Sequence, residues 1–160
     1  MFFTRTPVLD ERAALRALLE DPAITYASAK PFVPCVQMGR VVKVYDGDTI
    51  TVAAPLCNGA AGVAPEMYRF SVRLGGIDTP ELKSKSAAER ALAAAARDAL
   101  SALVLGKVVR LEGAETEKYG RLLCGVFLDS AAGETDVCAW MRERGHAVAY
   151  GGGAKTHAWA

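Results

Sequence analysis

The stretch YRFSVRLGGIDTPE, residues 68 to 81, decides the fold that we predict for this chain. Apolar and polar residues alternate in its first half, and this period of two is typical of a strand with one face in a core. Arg73 lies on the polar face and therefore points away from the core. The last four residues are also typical of a helix start, with Asp78 as N-cap and Glu81 three positions later. The stretch is therefore either a strand that runs into a capped helix or a strand that carries part of an active site.

Four further strands are predicted around this stretch. RVVKVYDG and DTITVA, residues 40 to 53, are β-branched runs joined by Asp46 and Gly47, and Asp-Gly is a strong hairpin signal. KVVRLEG and RLLCGVFLD, between residues 107 and 129, form a second pair joined by AETEKYG. Five strands are the number found in a small Greek-key barrel.

Two helices are predicted to follow strands. SAAERALAAAARDALSALVLG, residues 86 to 106, has a Ser-x-x-Glu capping box at Ser86 and Glu89 and a stripe of leucine and alanine for packing on a sheet. The stripe consists of Leu92, Ala96, Ala99, Leu100 and Leu103. TDVCAWMRERG, residues 135 to 145, predicts a short helix capped by its Thr or its Asp. The class is therefore α+β and mainly β.

The N-terminal part has a different pattern. VLDERAALRALLE, residues 8 to 20, predicts a short amphipathic helix whose leucines either pack on the barrel or dock a partner. The chain is thus predicted to have an N-terminal extension of a short helix and an extended strap over 1–37, a domain over 38–150, and a flexible tail over 151–160.

Composition excludes several classes of protein. Nineteen basic residues face 18 acidic ones, so the net charge of +1 gives no global attraction for nucleic acid, and any phosphate-binding surface must be local. The cysteines are too scattered for a zinc site or a disulfide framework: Cys35, Cys57, Cys124 and Cys138. We see no secretory signal and no 18-residue apolar run. We therefore expect an intracellular protein with no membrane association and no obligate protein partner.

Carboxylates and arginines fall at the predicted strand ends. The four carboxylates are Asp46, Asp48, Asp78 and Glu81. Oxygen ligands of this kind suit Ca²⁺ or Mg²⁺ better than zinc. Arg73 and Arg121 offer bidentate donors for a phosphate. A hard cation, carboxylates and two arginines together describe phosphodiester chemistry. Taken singly, each motif also has an ordinary structural interpretation, as a turn, a helix start or a hairpin loop.

The motifs together resemble the staphylococcal nuclease family. The resemblance is carried by YDGDTI, VRLGGIDTPE, EKYGRLL, the alanine-rich helix and GHAVAY, and it spans roughly residues 38 to 150. It implies a five-stranded OB-fold Greek-key barrel with packed helices. It also implies an endonuclease, a phosphodiesterase that uses Ca²⁺ to cleave DNA and RNA and leaves 3′-phosphate and 5′-hydroxyl ends.

Residue roles follow from the same resemblance. Asp48 and Asp78 would be Ca²⁺ ligands, with the backbone carbonyl of Thr79 as a third, and Asp46 would be a nearby carboxylate. Glu81 matches the residue that activates or orients the attacking water.

The remaining roles concern the substrate. Arg73 matches the arginine that clamps the scissile phosphate, and Arg121 the one that stabilises charge on the leaving oxygen. Lys118 and Tyr119 match contacts to nucleotide phosphates, and Tyr150 matches a tyrosine of the nucleotide pocket.

The chain departs from the family pattern after Tyr150. Gly152 stands near the position of a second pocket tyrosine, within the sequence GGGAKTHAW. We expect DNA or RNA as partner, with single strands preferred because a tyrosine platform stacks on an unpaired base. The alternative function is a catalytically weak or inactive module that binds nucleic acid or protein, and retention of both arginines and the carboxylates favours catalysis.

Overall fold

The computed structural model describes residues 8–56, 65–117, 119–131, 133–153 and 157–159. The chain divides after Phe32 into two compact units. The first contains helix α1 (Val8–Leu19), so the predicted N-terminal helix is confirmed. The predicted boundaries of extension, domain and tail stay predictions.

The second unit contains the remaining elements of the described residues. The strands are β1 (Met38–Val44), β2 (Thr49–Ala54), β3 (Tyr68–Leu74), β4 (Ile77–Asp78), β5 (Val108–Thr116), β6 (Leu122–Ser130), β7 (Gly133–Asp136) and β8 (Val148–Ala149). The helices are α2 (Ala87–Val104) and α3 (Val137–Glu143). Six strands form one sheet in the order β3-β2-β1-β5-β6-β7, and β4 pairs with β8.

Parallel pairing between β3 and β6 closes the barrel. Val72, Arg73 and Leu74 lie opposite Leu122, Leu123 and Cys124. β1, β2, β3, β5 and β6 therefore form a closed barrel, and its only parallel contact among the described residues is this one. The predicted mainly β class and five-stranded OB-like barrel are confirmed.

The core fills the barrel and extends under the two helices of the second unit. Alternate strand residues such as Val41, Val52 and Val72 are fully buried, as a period of two requires. α2 contributes Ala93, Ala96, Leu100 and Val104 to its buried face. The predicted stripe was wrong at Leu92, which is exposed, because the helix turns small alanines toward the barrel and so packs closely on it.

The loop before α2 corrects the helix-start interpretation of Asp-Thr-Pro-Glu. Asp78 belongs to β4, residues 79–86 contain no helical residue, and α2 begins after the N-cap Ser86. The Ser86 hydroxyl accepts the Glu89 N–H at 3.3 Å, as the capping box predicts. The carboxylate of Glu89 accepts the Glu81 N–H at 3.1 Å and the Ser84 hydroxyl. The first turn of α2 thus holds the loop that carries Glu81.

Three short strands of the structure were not predicted, and one predicted loop is longer than the loop that the structure shows. β4, β7 and β8 have two to four residues each, too few to show a period of two. β5 extends to Thr116, beyond its predicted end at Gly113, and β6 begins at Leu122, so the predicted loop AETEKYG shortens to residues 117–121. α3 is capped by Asp136, whose carboxylate accepts the Ala139 N–H at 3.0 Å.

Gly47 lies where the hairpin between β1 and β2 approaches two other segments. A Cβ at this position would lie 3.0 Å from Ala96 Cβ on α2 and 3.0 Å from Thr79 Cβ and Cγ2. The backbone dihedral φ of Gly47 is not positive. This glycine is therefore required for close packing and not for turn geometry.

Gly47→Ala is expected to lower the free energy of unfolding by at least about 1 kcal/mol relative to Gly151→Ala, because overpacking a tight contact is destabilising. Gly151 is the matched control: nothing lies within 4 Å of its Cβ position, and its φ is not positive. Both variants lose the same backbone freedom in the unfolded chain. Urea unfolding measures the difference, and equal stabilities would contradict the packing argument.

Candidate active site

Strand pairing brings three distant parts of the sequence together at one end of the barrel. Thr49 lies opposite Arg73 across β2 and β3, and Arg73 lies opposite Leu123 across β3 and β6. The Leu74 N–H also donates to the Asp48 carbonyl at 2.8 Å. Asp48 directly precedes β2 and Arg121 directly precedes β6, so both lie beside Arg73 of β3.

The hairpin between β1 and β2 fixes Asp48. The Tyr45 N–H donates to the Thr49 carbonyl at 2.8 Å, and Asp46 Oδ1 accepts the Asp48 N–H at 3.2 Å. This Asx turn directs the Asp48 side chain inward, where it is buried. The Thr49 hydroxyl donates to Asp48 Oδ1 at 2.8 Å.

The Arg73 guanidinium lies among acidic groups. Its Nη1 is 2.5 Å from Asp48 Oδ2, its Nη2 is 3.8 Å from the buried Asp78 Oδ1, and its Nε is 3.9 Å from Glu117 Oε1. Nη2 also donates to the Ile77 carbonyl at 3.4 Å. Arg73 points away from the apolar core, as predicted, but only 14% of its side chain is exposed.

Arg121 forms a bidentate ion pair with Glu117. Its Nε donates to Oε2 at 2.5 Å and its Nη2 to Oε1 at 2.9 Å, while Nη1 donates to the Thr49 hydroxyl at 3.4 Å. The hydrogen bonds that Arg121 donates to the Glu117 carboxylate raise the pKa of Arg121 above its usual value, so this guanidinium stays charged.

Burial gives Asp48 an unusual pKa. Loss of solvent, and then repulsion from the Asp46 carboxylate, raise the pKa of Asp48 from 3.8 to about 6, although the charge of Arg73 opposes the shift. The negative charge of Asp48 is therefore costly in this protein, and an added cation would relieve that cost.

A cavity of about 350 Å³ gathers most of the residues that the sequence indicated. Its lining includes Asp46, Asp48, Arg73, Thr79, Glu81, Glu117, Tyr119, Arg121 and Tyr150. Asp78 is buried beside Arg73. Lys118 lies outside the described residues. The structure thus brings the described candidates to one place, whatever their roles.

A second cavity of about 540 Å³ adjoins Arg73 and Tyr150. Residues 151–153 line it together with Ile77, Glu117 and Leu123. The Tyr150 N–H donates to the Gly76 carbonyl at 3.0 Å, beside the β4–β8 pair, and the Tyr150 hydroxyl donates to the Gly153 carbonyl at 2.5 Å. Three consecutive glycines thus line this cavity beside Tyr150.

The candidate metal ligands are oxygen atoms, which hard cations prefer, but only two of the ligands are carboxylate side chains. Among the described residues, no group of three or more His, Cys, Asp or Glu side chains is arranged to hold a metal. Asp48 and Asp78 are both buried carboxylates, and Thr79 follows directly in the chain. Two carboxylates and a carbonyl fit a calcium or magnesium ion that completes its shell with water or substrate oxygens.

Three residues of the site escaped sequence reasoning. Thr49 joins Asp48 to Arg121 through its hydroxyl, Glu117 pairs with Arg121, and Glu89 holds the backbone of Glu81. Glu117 stands four residues before Arg121 across a tight hairpin, and this spacing was its one signal. The contact between Thr49 and Arg121 joins residues 72 positions apart, which no local pattern shows. Glu89 reaches back 8 residues to Glu81, beyond the span of its capping box.

The three described cysteines are absent from the lining of both cavities. Cys124 and Cys138 are buried, and burial raises their pKa values to about 12 and about 11, which leaves both thiols protonated and unreactive. Cys35 is exposed, and Cys57 lies outside the described residues.

Comparison with known proteins identifies one family. A family model described as staphylococcal nuclease homologue matches residues 71–158, more than half of the chain. A search of curated proteins found no match. The match begins after the hairpin that carries Asp46 and Asp48, so their position beside Arg73 is known from the structure alone. Within the described ranges, no helix combines the length and apolar character needed to cross a membrane.

Proposed function

Because the chain belongs to the staphylococcal nuclease homologue family, a family of nucleases and nucleic-acid-binding proteins, we propose that it is a Ca²⁺-dependent endonuclease of DNA or RNA. One observation carries the proposal: two arginines and the buried Asp48 line a single cavity at the end of the barrel, together with further carboxylates. A binding module has no need to bury Asp48 at the cost that its raised pKa shows.

The phosphodiester sets the chemical requirements. Its negative charge repels nucleophiles, and attack by water adds charge to the equatorial oxygens and to the leaving oxygen. The fork of Arg73 is suited to hold two oxygens of the scissile phosphate. Arg121, held charged by its surroundings, is suited to stabilise the charge that develops on the leaving 5′-oxygen.

Glu81 is the proposed partner of the attacking water. It lines the cavity with both arginines, and its backbone is held by Glu89. Its carboxylate would orient the water and accept its proton as the new oxygen–phosphorus bond forms. The bond from phosphorus to the 5′-oxygen then breaks, and that oxygen takes up a proton. The products are a 3′-phosphate and a 5′-hydroxyl.

Asp48, Asp78 and the Thr79 carbonyl would hold Ca²⁺, with Asp46 nearby. When bound, the ion supplies positive charge that polarises the phosphate and offsets the burial cost of the two carboxylates. Magnesium has the same preference for oxygen but demands stricter geometry and keeps more of its water.

The expected substrate preference rests on two tyrosines of the cavity lining. Tyr119 is 73% exposed and Tyr150 borders both cavities, so each is available to stack on an unpaired base. Both arginines of the described cavity lining are assigned to phosphate in this proposal, and phosphate contacts carry no sequence information, so single strands without strong sequence selectivity are the expected substrates.

End-group analysis tests the proposed reaction. Oligonucleotides cut in Ca²⁺ are expected to carry 5′-hydroxyl ends that polynucleotide kinase labels without prior phosphatase treatment. Ends that need phosphatase first would contradict the assigned cleavage direction. A folded chain that binds single strands without cutting them would support a binding module instead.

A further inference from the structure

Glu117 lies between the two arginines of the site. Its Oε2 is 2.5 Å from Arg121 Nε, and its Oε1 accepts from Arg121 Nη2 at 2.9 Å. The same Oε1 is 3.9 Å from Arg73 Nε. One carboxylate therefore engages one guanidinium fully and approaches the other.

The hairpin between β5 and β6 holds this pair in place. The Glu117 N–H donates to the Arg121 carbonyl at 2.8 Å, and the Gly120 N–H donates to the Glu117 carbonyl at 2.8 Å. Gly120 has a φ of +77°, which lets the chain turn tightly. Glu117 and Arg121 thus meet across the base of one short loop, with their side chains 21% and 29% exposed. A bidentate, partly buried pair is stronger than an ordinary surface ion pair.

A phosphate needs the same hydrogen-bond donors. Carboxylate and phosphate both present two oxygens to the guanidinium fork at similar distances. Glu117 also lines both cavities, beside the acidic cluster in one and beside Tyr150 in the other. Any phosphate that binds Arg121 through Nε and Nη2 must therefore displace this carboxylate.

We propose that Glu117 is a built-in competitor that occupies the phosphate-binding donors of Arg121 until a nucleic-acid strand displaces it. The inference rests on the proposed function, because it takes Arg73 and Arg121 as phosphate-binding groups. A free phosphate ion replaces one anion by another and gains little. A strand gains additional contacts along its backbone and bases, and these contacts offset the cost of displacing Glu117.

Inorganic phosphate binding to the full chain, measured by calorimetry in EDTA, tests the inference without any cleavage. Glu117→Gln is expected to tighten phosphate binding at least about fivefold, because the donors are no longer held by a charged partner. Glu115→Gln is the matched control, since it removes the same charge from an exposed position on β5. Its effect is expected to stay below about twofold, in line with a screened surface charge.

Several outcomes would overturn the inference. They are an unchanged or weaker affinity in Glu117→Gln, an equal effect in Glu115→Gln, and a gain that persists when Arg121→Ala is added. Circular dichroism checks the fold of each variant. If Glu117→Gln does not fold, Glu117→Asp, shorter by one methylene, is expected to bind phosphate more tightly than the wild type, and equal or weaker binding would overturn the inference.

The two proposals fail separately. Tighter phosphate binding in a chain that never cleaves nucleic acid would reject the nuclease function and retain the role of Glu117. If the chain cleaves nucleic acid but Glu117→Gln binds phosphate no more tightly than the wild type, only the role of Glu117 is rejected. If neither the wild type nor Glu117→Gln binds phosphate, the two arginines are not a phosphate site and the inference is overturned.

Discussion

Arg73→Lys is expected to lower kcat/KM for single-stranded DNA or RNA by at least about 100-fold, the effect of losing one preorganised donor to a developing charge. Lysine keeps the positive charge but loses the planar fork. In this structure the guanidinium pairs with Asp48, donates to the Ile77 carbonyl and lies 3.9 Å from the Glu117 carboxylate. Its orientation is therefore fixed from several sides. Kinetics in Ca²⁺ with a labelled oligonucleotide measure the loss.

Arg69→Lys is the matched control for this prediction. Arg69 lies on the same strand and faces the same way, but it is exposed and stands opposite Ala53, far along β3 from the cavity. Its replacement is expected to change kcat/KM less than about twofold, since lysine keeps the charge and Arg69 lies exposed and far from the cavity. Equal losses in the two variants would mean that the loss does not come from a guanidinium fork held at the cavity, and Arg73 would have no fork-specific role.

Asp48→Asn is expected to raise the free energy of unfolding at pH 7, without metal, by up to about 3 kcal/mol, the equivalent of a pKa shift from 3.8 to about 6. The amide removes a charge that burial and Asp46 disfavour even in the presence of Arg73. The same change is expected to abolish stabilisation by added Ca²⁺. Asp98→Asn, exposed on α2, is the control and is expected to change neither quantity.

The pH dependence of this effect has a definite sign. Because the folded chain holds the Asp48 proton more tightly than the unfolded chain does, the associated stability is complete below pH 3.8 and is lost as the pH rises through about 6. The stability gap between Asp48→Asn and wild type should therefore widen over this window in EDTA. Urea unfolding across the window measures the gap. Parallel pH profiles for the two proteins would contradict the assigned pKa.

Sequence patterns were sufficient for the barrel and indicated most of the residues that line the smaller cavity. The alternation in residues 68–74 and the Asp-Gly hairpin mark strands because burial on one face requires a period of two. Ser86 and Asp136 mark helix starts through a local hydrogen bond to the backbone. These signals lie within a few residues of the structure that they determine, so they are readable from the chain alone.

Other features depend on contacts between distant segments and could not be predicted from the sequence. Asp-Thr-Pro-Glu fits a helix start equally well, and only pairing of β4 with β8 makes Asp78 part of a strand. Gly47 appeared to be a turn residue, whereas its close approach to Thr79 and Ala96 gives it a packing role. No motif in the sequence assigns a role to Glu117, and only strand pairing places it between two arginines.

Cleavage of labelled single-stranded DNA and RNA by the full chain, in Ca²⁺, Mg²⁺ or EDTA, tests the central claim most directly. Wild type and Glu81→Gln are compared, with circular dichroism to show that both are folded. We predict cutting by the wild type in Ca²⁺, none in EDTA, and a loss of about 100-fold or more in Glu81→Gln, as expected when a positioned acid–base group is removed. A folded wild type that binds these strands in Ca²⁺ and leaves them intact would contradict the claim.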